Sequence, residues 1–188
     1  MGIATKSEIV SDESEPLILV DSNDEPIGVL AKDACHDGSG HLHRALSVFI
    51  FNEAGELLLQ RRHPDKRLWG GFWSNSCCSH PRAGEAIEHA AVRRTREELG
   101  LETTLDFVFK FEYKARFRDV GTEHELCSVF VGRTTAEPVA NATEVDDWQW
   151  VDPAALDDRL ANDPEDFTPW FKIEWERLRR EFPSRIEP

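Results

Sequence analysis

Residues 85–99 constrain the fold more than any other stretch. Glu85 to Leu99 follows Gly84, contains neither Gly nor Pro, and stops at Gly100, which predicts a helix closed by a glycine cap. Ile87, Ala90, Ala91, Thr95 and Leu99 give that helix a narrow apolar face among charged positions. Strand signals lie on both sides of it. Upstream, Leu17–Asp21 and Pro26–Lys32 read as short strands around a Ser22-Asn23-Asp24 turn, and Arg44–Asn52 with Glu56–Arg62 reads as a hairpin through Glu53-Ala54-Gly55. Downstream, strands are predicted over 107–118, 123–133 and 148–151, followed by helices over 153–160 and 169–182. Strands before and after one central helix, with two late helices, predict a mixed α/β domain. Two stretches resist a regular reading: Ala34–His43, polar and carrying three histidines, and the long loop His63–Pro81. Long loops in compact domains are often functional.

Charge narrows the class of ligand. The 188 residues carry 36 Asp and Glu against 22 Lys and Arg, for a formal charge of -14. Dedicated binding of nucleic acid or anionic membranes needs net positive surface, so neither is expected. No apolar run approaches the roughly 20 residues of a membrane span, and the acidic first sixteen residues lack the apolar core of a secretion signal. A cytoplasmic globule, monomeric by default, is the expectation. Arg outnumbers Lys 16 to 6, and a carboxylate-rich, Lys-poor surface suits a salt-rich, halophilic cytoplasm where screening relieves repulsion. The charge is uneven: residues 1–43 sum to -7, residues 134–188 to -8, and the middle to +1. A near-neutral centre in so acidic a chain suggests bases that serve an anionic ligand. The four cysteines, Cys35, Cys77, Cys78 and Cys127, form no CxxC pair and are expected as free thiols.

His36, His41, His43 and His80 crowd the loops around the expected hairpin, and farther on stand Glu123 and Glu125. Residues two apart on a strand face one side, so those two carboxylates can act together. Imidazoles with paired carboxylates suit Mn²⁺, Zn²⁺ or Fe²⁺ better than an all-oxygen Mg²⁺ site. Spacing alone does not choose between His41 and His43. On the helix, Arg93-Arg94-Thr95-Arg96-Glu97-Glu98-Leu99-Gly100-Leu101 reads either as a salt-bridged surface helix or as a functional carboxylate pair.

That segment resembles the Nudix box, G-x5-E-x7-R-E-U-x-E-E-x-G-U, with Glu85, Arg93, Glu97, Glu98 and Gly100 on its defining positions. Ser79 stands for the first Gly, and Arg94 replaces the Glu after the Arg. Loss of that carboxylate argues against a Nudix hydrolase of the usual kind and puts a guanidinium where an anion could be held. Asn75-Ser76-x-Cys78-x-His80-Pro81, Tyr113-Lys114-Ala115, Glu123-x-Glu125-x-Cys127 and Phe167-x-Pro169-Trp170 have the order and spacing of the type 1 isopentenyl-diphosphate isomerases. The resemblance runs from about Leu17 to Phe182. It implies a Nudix-like α/β/α sandwich with a mixed sheet, extra N-terminal strands and C-terminal helices, as one catalytic domain over 16–183 between a flexible acidic arm (1–15) and a short tail (184–188).

It also implies a transition-metal site (Mn²⁺ or Zn²⁺) of His36, His43, His80, Glu123 and Glu125, and a Mg²⁺ that Glu98 helps hold against the substrate diphosphate. Lys32, Arg62, Lys66 and Arg94 match the family's diphosphate contacts. The implied reaction interconverts isopentenyl and dimethylallyl diphosphate, with Cys78 and Glu125 as proton-transfer groups, Tyr113 assisting Glu125, and Trp170 stabilising the cationic intermediate. The alternative is a Nudix-type diphosphate hydrolase.

Overall fold

The computed structural model describes residues 5–187. In chain order its elements are β1 (Thr5–Lys6), β2 (Pro16–Val20), β3 (Pro26–Ala31), α1 (Lys32–His36), β4 (His43–Phe51), β5 (Leu57–Arg62), β6 (Trp73–Ser74) and β7 (Cys77–Ser79). There follow α2 (Ile87–Leu99), β8 (Leu105–Phe117), β9 (Gly121–Arg133), β10 (Ala140–Asn141), β11 (Val145–Val151), α3 (Pro153–Asn162), α4 (Pro169–Glu181) and α5 (Pro183–Ile186).

The sheet is mixed. β4 runs parallel to β9 from His43↔Glu125 to Phe51↔Arg133, and β9 pairs antiparallel with the long β8. On its other side β4 pairs antiparallel with β7, while β5 pairs with β11 and β6. The expected hairpin is therefore corrected. β4 and β5 share only Phe51↔Leu57 and then diverge, because Trp73–Ser79 enters between them. The loop read as irregular supplies two short strands to the middle of the sheet.

Period-two alternation sorts β4 into two faces. Leu46, Val48 and Ile50 join Ala90, Ala91 and Leu99 of α2 in one core. Ala45, Phe49 and Phe51 join Trp170, Phe171, Trp175 and Leu178 of α4 in the other. The α/β/α layering follows from a sheet that is apolar on both faces and buries each under a helix.

Helix α2 begins at Ile87, two residues later than the sequence suggests. Glu85 lies in the preceding turn, where its carboxylate accepts from the Arg82 amide (2.9 Å) and from Arg93 Nε (2.7 Å). Bonding to Arg93, with a smaller share from that amide, brings Glu85 down to about 2. The helix ends as expected: Gly100 adopts φ 66°, and its N–H donates to the Arg96 carbonyl.

Residues 1–4 and 188 of the expected arm and tail lie outside the described residues. Residues 8–15, however, are bound to the domain rather than loose in solvent. Asn141 and Thr143 donate to the Glu8 carbonyl, Arg94 donates to the Val10 carbonyl (2.7 Å), Glu13 pairs with Lys32 (3.1 Å), and the Glu15 carbonyl accepts from the Lys32 amide. At the other end, α5 and the contact of Arg133 with the Glu187 carbonyl hold the tail. No helix among the described residues is long and apolar enough to cross a membrane.

Candidate active site

The site lies where β4, β7 and β9 end together, and strand parity explains its membership. His43 and Glu125 are register partners on parallel neighbours, and Glu123 lies two residues from Glu125 on the same face. Tyr113 on β8 is directly opposite Glu125. On β7, Cys78 pairs with Ser47 and turns toward α4, whereas Cys77 turns into the core beneath α2. His36 ends α1 and His80 follows β7, so two connections deliver imidazoles to one strand end.

One ligand atom from each of His36, His43, His80 and Glu123 lies within 4.8 Å of all the others. Glu125 joins them: its Oε1 is 3.1 Å from His80 Nε2 and 3.6 Å from His43 Nε2. These residues fit a divalent metal on the chemistry of their unsatisfied atoms. His36 Nε2 and Glu123 Oε2 are 3.0 Å apart yet too poorly aligned to bond, which leaves both buried without a hydrogen-bond partner. His43 Nε2 and His80 Nε2 face each other at 3.2 Å. His43 Nδ1 meets the His41 carbonyl at 2.8 Å, a contact that orients the ring and presents Nε2 to the cluster. His43 thus faces the cluster while His41 is exposed and contributes only its backbone. Burial lowers His80 to about 4, which favours the neutral imidazole that ligates metal. Burial alone would raise Glu125, but bonds from His43 and His80 hold it below the ordinary carboxylate range.

Around this cluster is a pocket lined by Lys32, Arg62, Lys66, Arg94, Cys78, Tyr113, Glu125 and Trp170, with Ser11 and Glu144 at its side. Tyr113 donates its hydroxyl to Glu125 Oε2 at 2.6 Å. The Trp170 indole N–H donates to Cys78 Sγ at 3.1 Å, and burial first of all pushes the Cys78 thiol up to about 12. Arg62 donates to the Leu68 carbonyl (3.2 Å), and its buried Nε has no partner; the Nε of Arg94 is in the same state. Lys32, Arg62, Lys66 and Arg94 thus meet in one pocket, a set of donors that suits an anion with several acceptor oxygens.

The helix carboxylates are internally neutralised. Arg94 donates to Glu97 (2.9 Å), to Glu98 (2.7 Å) and to Glu144 (3.3 Å), and Glu98 also accepts weakly from Gln60 (3.4 Å). Arg94 and Glu98 are 3 % exposed each, so the reading of a solvated salt-bridged surface helix does not describe them. All the site residues read from the sequence therefore converge on one end of the sheet.

Four contributors were given no role by sequence reasoning. Glu144 pairs with Lys66 as well as Arg94, from a short turn whose composition carries no periodic signal. Ser74 and Asn75 touch the Cys78 sulfur, though neither residue type suggests sulfur as a partner. Glu174 is fully buried on α4, one turn beyond Trp170, and was legible only as an acid on an apolar helix face.

A NUDIX domain model matches residues 41–171. The isopentenyl-diphosphate Delta-isomerase 1 of Photorhabdus laumondii is 45% identical over 163 residues, covering 86% of this chain and 93% of that protein. The enzyme of the same name from Aromatoleum aromaticum is 46% identical over 158 residues, covering 84% and 89%. Among solved structures, one from Deinococcus radiodurans superposes with a TM-score of 0.73 at 26% identity, covering 88% of this chain and 100% of its own. A MutT protein from Methanosarcina mazei superposes at 0.62 with 22% identity over 74% of this chain and 94% of its own, a likeness of fold alone. Likeness to the isomerases over most of the chain, within a Nudix domain whose helix carries Arg94 in place of a carboxylate, fixes the assignment: the chain belongs to the isopentenyl-diphosphate Delta-isomerases of the Nudix superfamily.

Proposed function

We propose that the chain interconverts isopentenyl diphosphate and dimethylallyl diphosphate. The observation that carries this reading is a single pocket lined by a thiol, Cys78, a tyrosine-bound carboxylate, Glu125, and the cations Lys32, Arg62, Lys66 and Arg94. Lys32, Arg62, Lys66 and Arg94 bind the diphosphate and so place the alkene between Cys78 and Glu125. In the forward direction a proton adds to the terminal alkene carbon, the π pair forms the new C–H bond, and the adjacent tertiary carbon becomes cationic. A base then takes a proton from the carbon on the diphosphate side, and that C–H pair becomes the new double bond. No atom is gained or lost.

Cys78 and Glu125 are the donor and the acceptor of these protons, acting from opposite sides of the alkene. The Tyr113 hydroxyl assists the transfer at Glu125. Trp170 offers its indole face to the cation, an attraction worth up to about 2 kcal/mol when desolvated. Phe and Trp side chains packed around the site exclude the water that would capture the cation. A Mn²⁺ or Zn²⁺ ion would be held by His36, His43, His80, Glu123 and Glu125, and Glu98 would help to hold a Mg²⁺; each would supply fixed positive charge.

Hydrolysis of a diphosphate is the competing reading, and Arg94 disfavours it. The residue in the position of a Nudix carboxylate is a cation, which removes one metal-binding carboxylate and engages Glu97 and one oxygen of Glu98. Incubation with isopentenyl diphosphate, Mg²⁺ and Mn²⁺ in deuterated water decides between them. Deuterated dimethylallyl diphosphate without phosphate release is expected; phosphate release alone would overturn the isomerase reading. We place the enzyme in the cytoplasm as a monomer. Its charge of -14 suits a halophilic interior, so its melting temperature is expected to rise steeply with KCl.

A further inference from the structure

Asn75 opens the motif around Cys78 but does not line the pocket. Its side chain is fully buried, and its amide nitrogen spends both hydrogens on backbone: the Val48 carbonyl at 3.2 Å and the Cys77 carbonyl at 2.8 Å. Rotation of the amide would set its oxygen against those two carbonyls, so the orientation is fixed. The oxygen must then point at Cys78, and it lies 2.8 Å from Sγ. The next residue anchors the same turn, since Ser76 Oγ donates to the Leu58 carbonyl and accepts from the Ile50 amide.

The sulfur's other neighbours decide where its hydrogen goes. Trp170 Nε1 carries a hydrogen and can only donate, so the thiol cannot donate to it. Ser74 Oγ is farther, at 3.4 Å, and engages Thr168 at 2.8 Å and Asn75 Oδ1 at 3.0 Å. The Asn75 oxygen is the nearest acceptor to the sulfur and has a second lone pair beside the one that Ser74 Oγ engages. We propose that Asn75 is the positioning residue for Cys78: an amide that cannot turn accepts the thiol hydrogen and pins the sulfur against Trp170 at the pocket wall. Asn75 touches no substrate. It acts by removing the rotational freedom that a thiol on a strand end would otherwise keep, so that sulfur and indole meet the alkene in one arrangement.

This rests on the reading of Cys78 as a proton-transfer group, and the test separates the two. Infrared difference spectra of the metal-loaded protein, wild type against Cys78→Ala, identify the Cys78 S–H stretch. The wild-type band is expected below the position of a free thiol in water. In Asn75→Ala it is expected to move toward that position, with kcat lower by roughly 10- to 100-fold, the size typical of a lost orienting partner. KM and bound Mn²⁺ per chain stay unchanged in that variant.

A band that does not move, an undiminished kcat, or a KM that rises in step with the loss would overturn the role of Asn75. Should Asn75→Ala fail to fold, the wild-type band decides: at the free-thiol position, it refutes the hydrogen bond. Full turnover by Cys78→Ala would instead sink the reading of Cys78 itself.

Discussion

The guanidinium of Arg62 lies 5.3 Å from the centre of the Trp170 ring, a cation–π contact between two residues that line one pocket. Trp170 is thereby held on three sides: Arg62 on its ring, Trp69 edge-on at 5.3 Å, and Cys78 at its N–H. Two properties of the indole can be separated. Trp170→Phe keeps an aromatic face and loses the N–H, whereas Trp170→Leu loses both. If the ring stabilises a cation by about 2 kcal/mol, Trp170→Leu lowers kcat by roughly 30-fold relative to Trp170→Phe. Equal kcat in the two variants would remove the cation-stabilising role.

Arg62 itself offers a test of the anion site. Its side chain lines the pocket, and its Nε has no hydrogen-bond partner in the protein. Hydrogen bonds to charged groups contribute about 1.5–3 kcal/mol, so Arg62→Gln should raise KM by roughly 10- to 100-fold. Inhibition by inorganic pyrophosphate should weaken in parallel. Unchanged pyrophosphate inhibition would move the diphosphate elsewhere.

Adjacent cysteines make an internal control. Cys78 faces the pocket and Cys77 the core under α2. Cys78→Ala is expected to abolish turnover while leaving stability nearly intact. Cys77→Ala should keep turnover and lose about 1 kcal/mol of stability, a typical core effect. Chemical denaturation and turnover measured on both variants check this, and similar turnover in the two would refute it.

Glu174 gives a pH signature. It is fully buried; one oxygen meets Cys127 Sγ at 3.5 Å and the other has no partner. Burial, opposed only in part by bonds from Ser47 and Cys127, raises it to about 8. An acid with a raised folded value opposes folding increasingly as pH climbs from its ordinary 4.5 toward 8, because the unfolded chain ionises first. At pH 7 the cost is on the order of 3 kcal/mol at most. Glu174→Gln should therefore stabilise the protein at pH 7–8 and change little near pH 4, the reverse of a lost salt bridge. Melting curves at the two pH values suffice to check it.

The His/Glu cluster should couple metal to stability. A ligand bound only by the folded state at a hundred times its dissociation constant adds about 2.7 kcal/mol. Chelation should lower the melting temperature and Mn²⁺ or Zn²⁺ should restore it. In Glu123→Gln, which replaces a ligand oxygen by an amide, the restoring shift should shrink. A full shift in that variant would remove Glu123 from the ligand set.

The Gly-capped helix, the strands around it and the two late helices were all legible, because each rests on local periodicity. Alternation also exposed Glu123 and Glu125 as one face. The pairing partners were less accessible. Arg44–Asn52 and Glu56–Arg62 look like a hairpin because a short Gly-containing link joins them, yet β4 prefers β9 and β7, which lie far away in sequence. The choice of Cys78 over Cys77 and of His43 over His41 came from resemblance to a family. In the structure each follows from which side of a strand faces the pocket. Glu144, the contact of Asn75 with Cys78 and the bound segment 8–15 were missed because their partners are set by tertiary approach: a guanidinium, a sulfur and a backbone carbonyl carry no periodic mark.

The parallel pairing of β4 with β9 also has a consequence in time. His43 and Glu125 are neighbours across strands separated in the chain by β5, β6, β7, α2 and β8. A ribosome building this protein must have released nearly all of them before the first carboxylate can meet the first imidazole. A nascent chain can therefore hold histidines for a long interval without a metal cage, and parallel partners so distant are slow to find each other. The carboxylates of the cluster can join its histidines only once β9 has been made and paired.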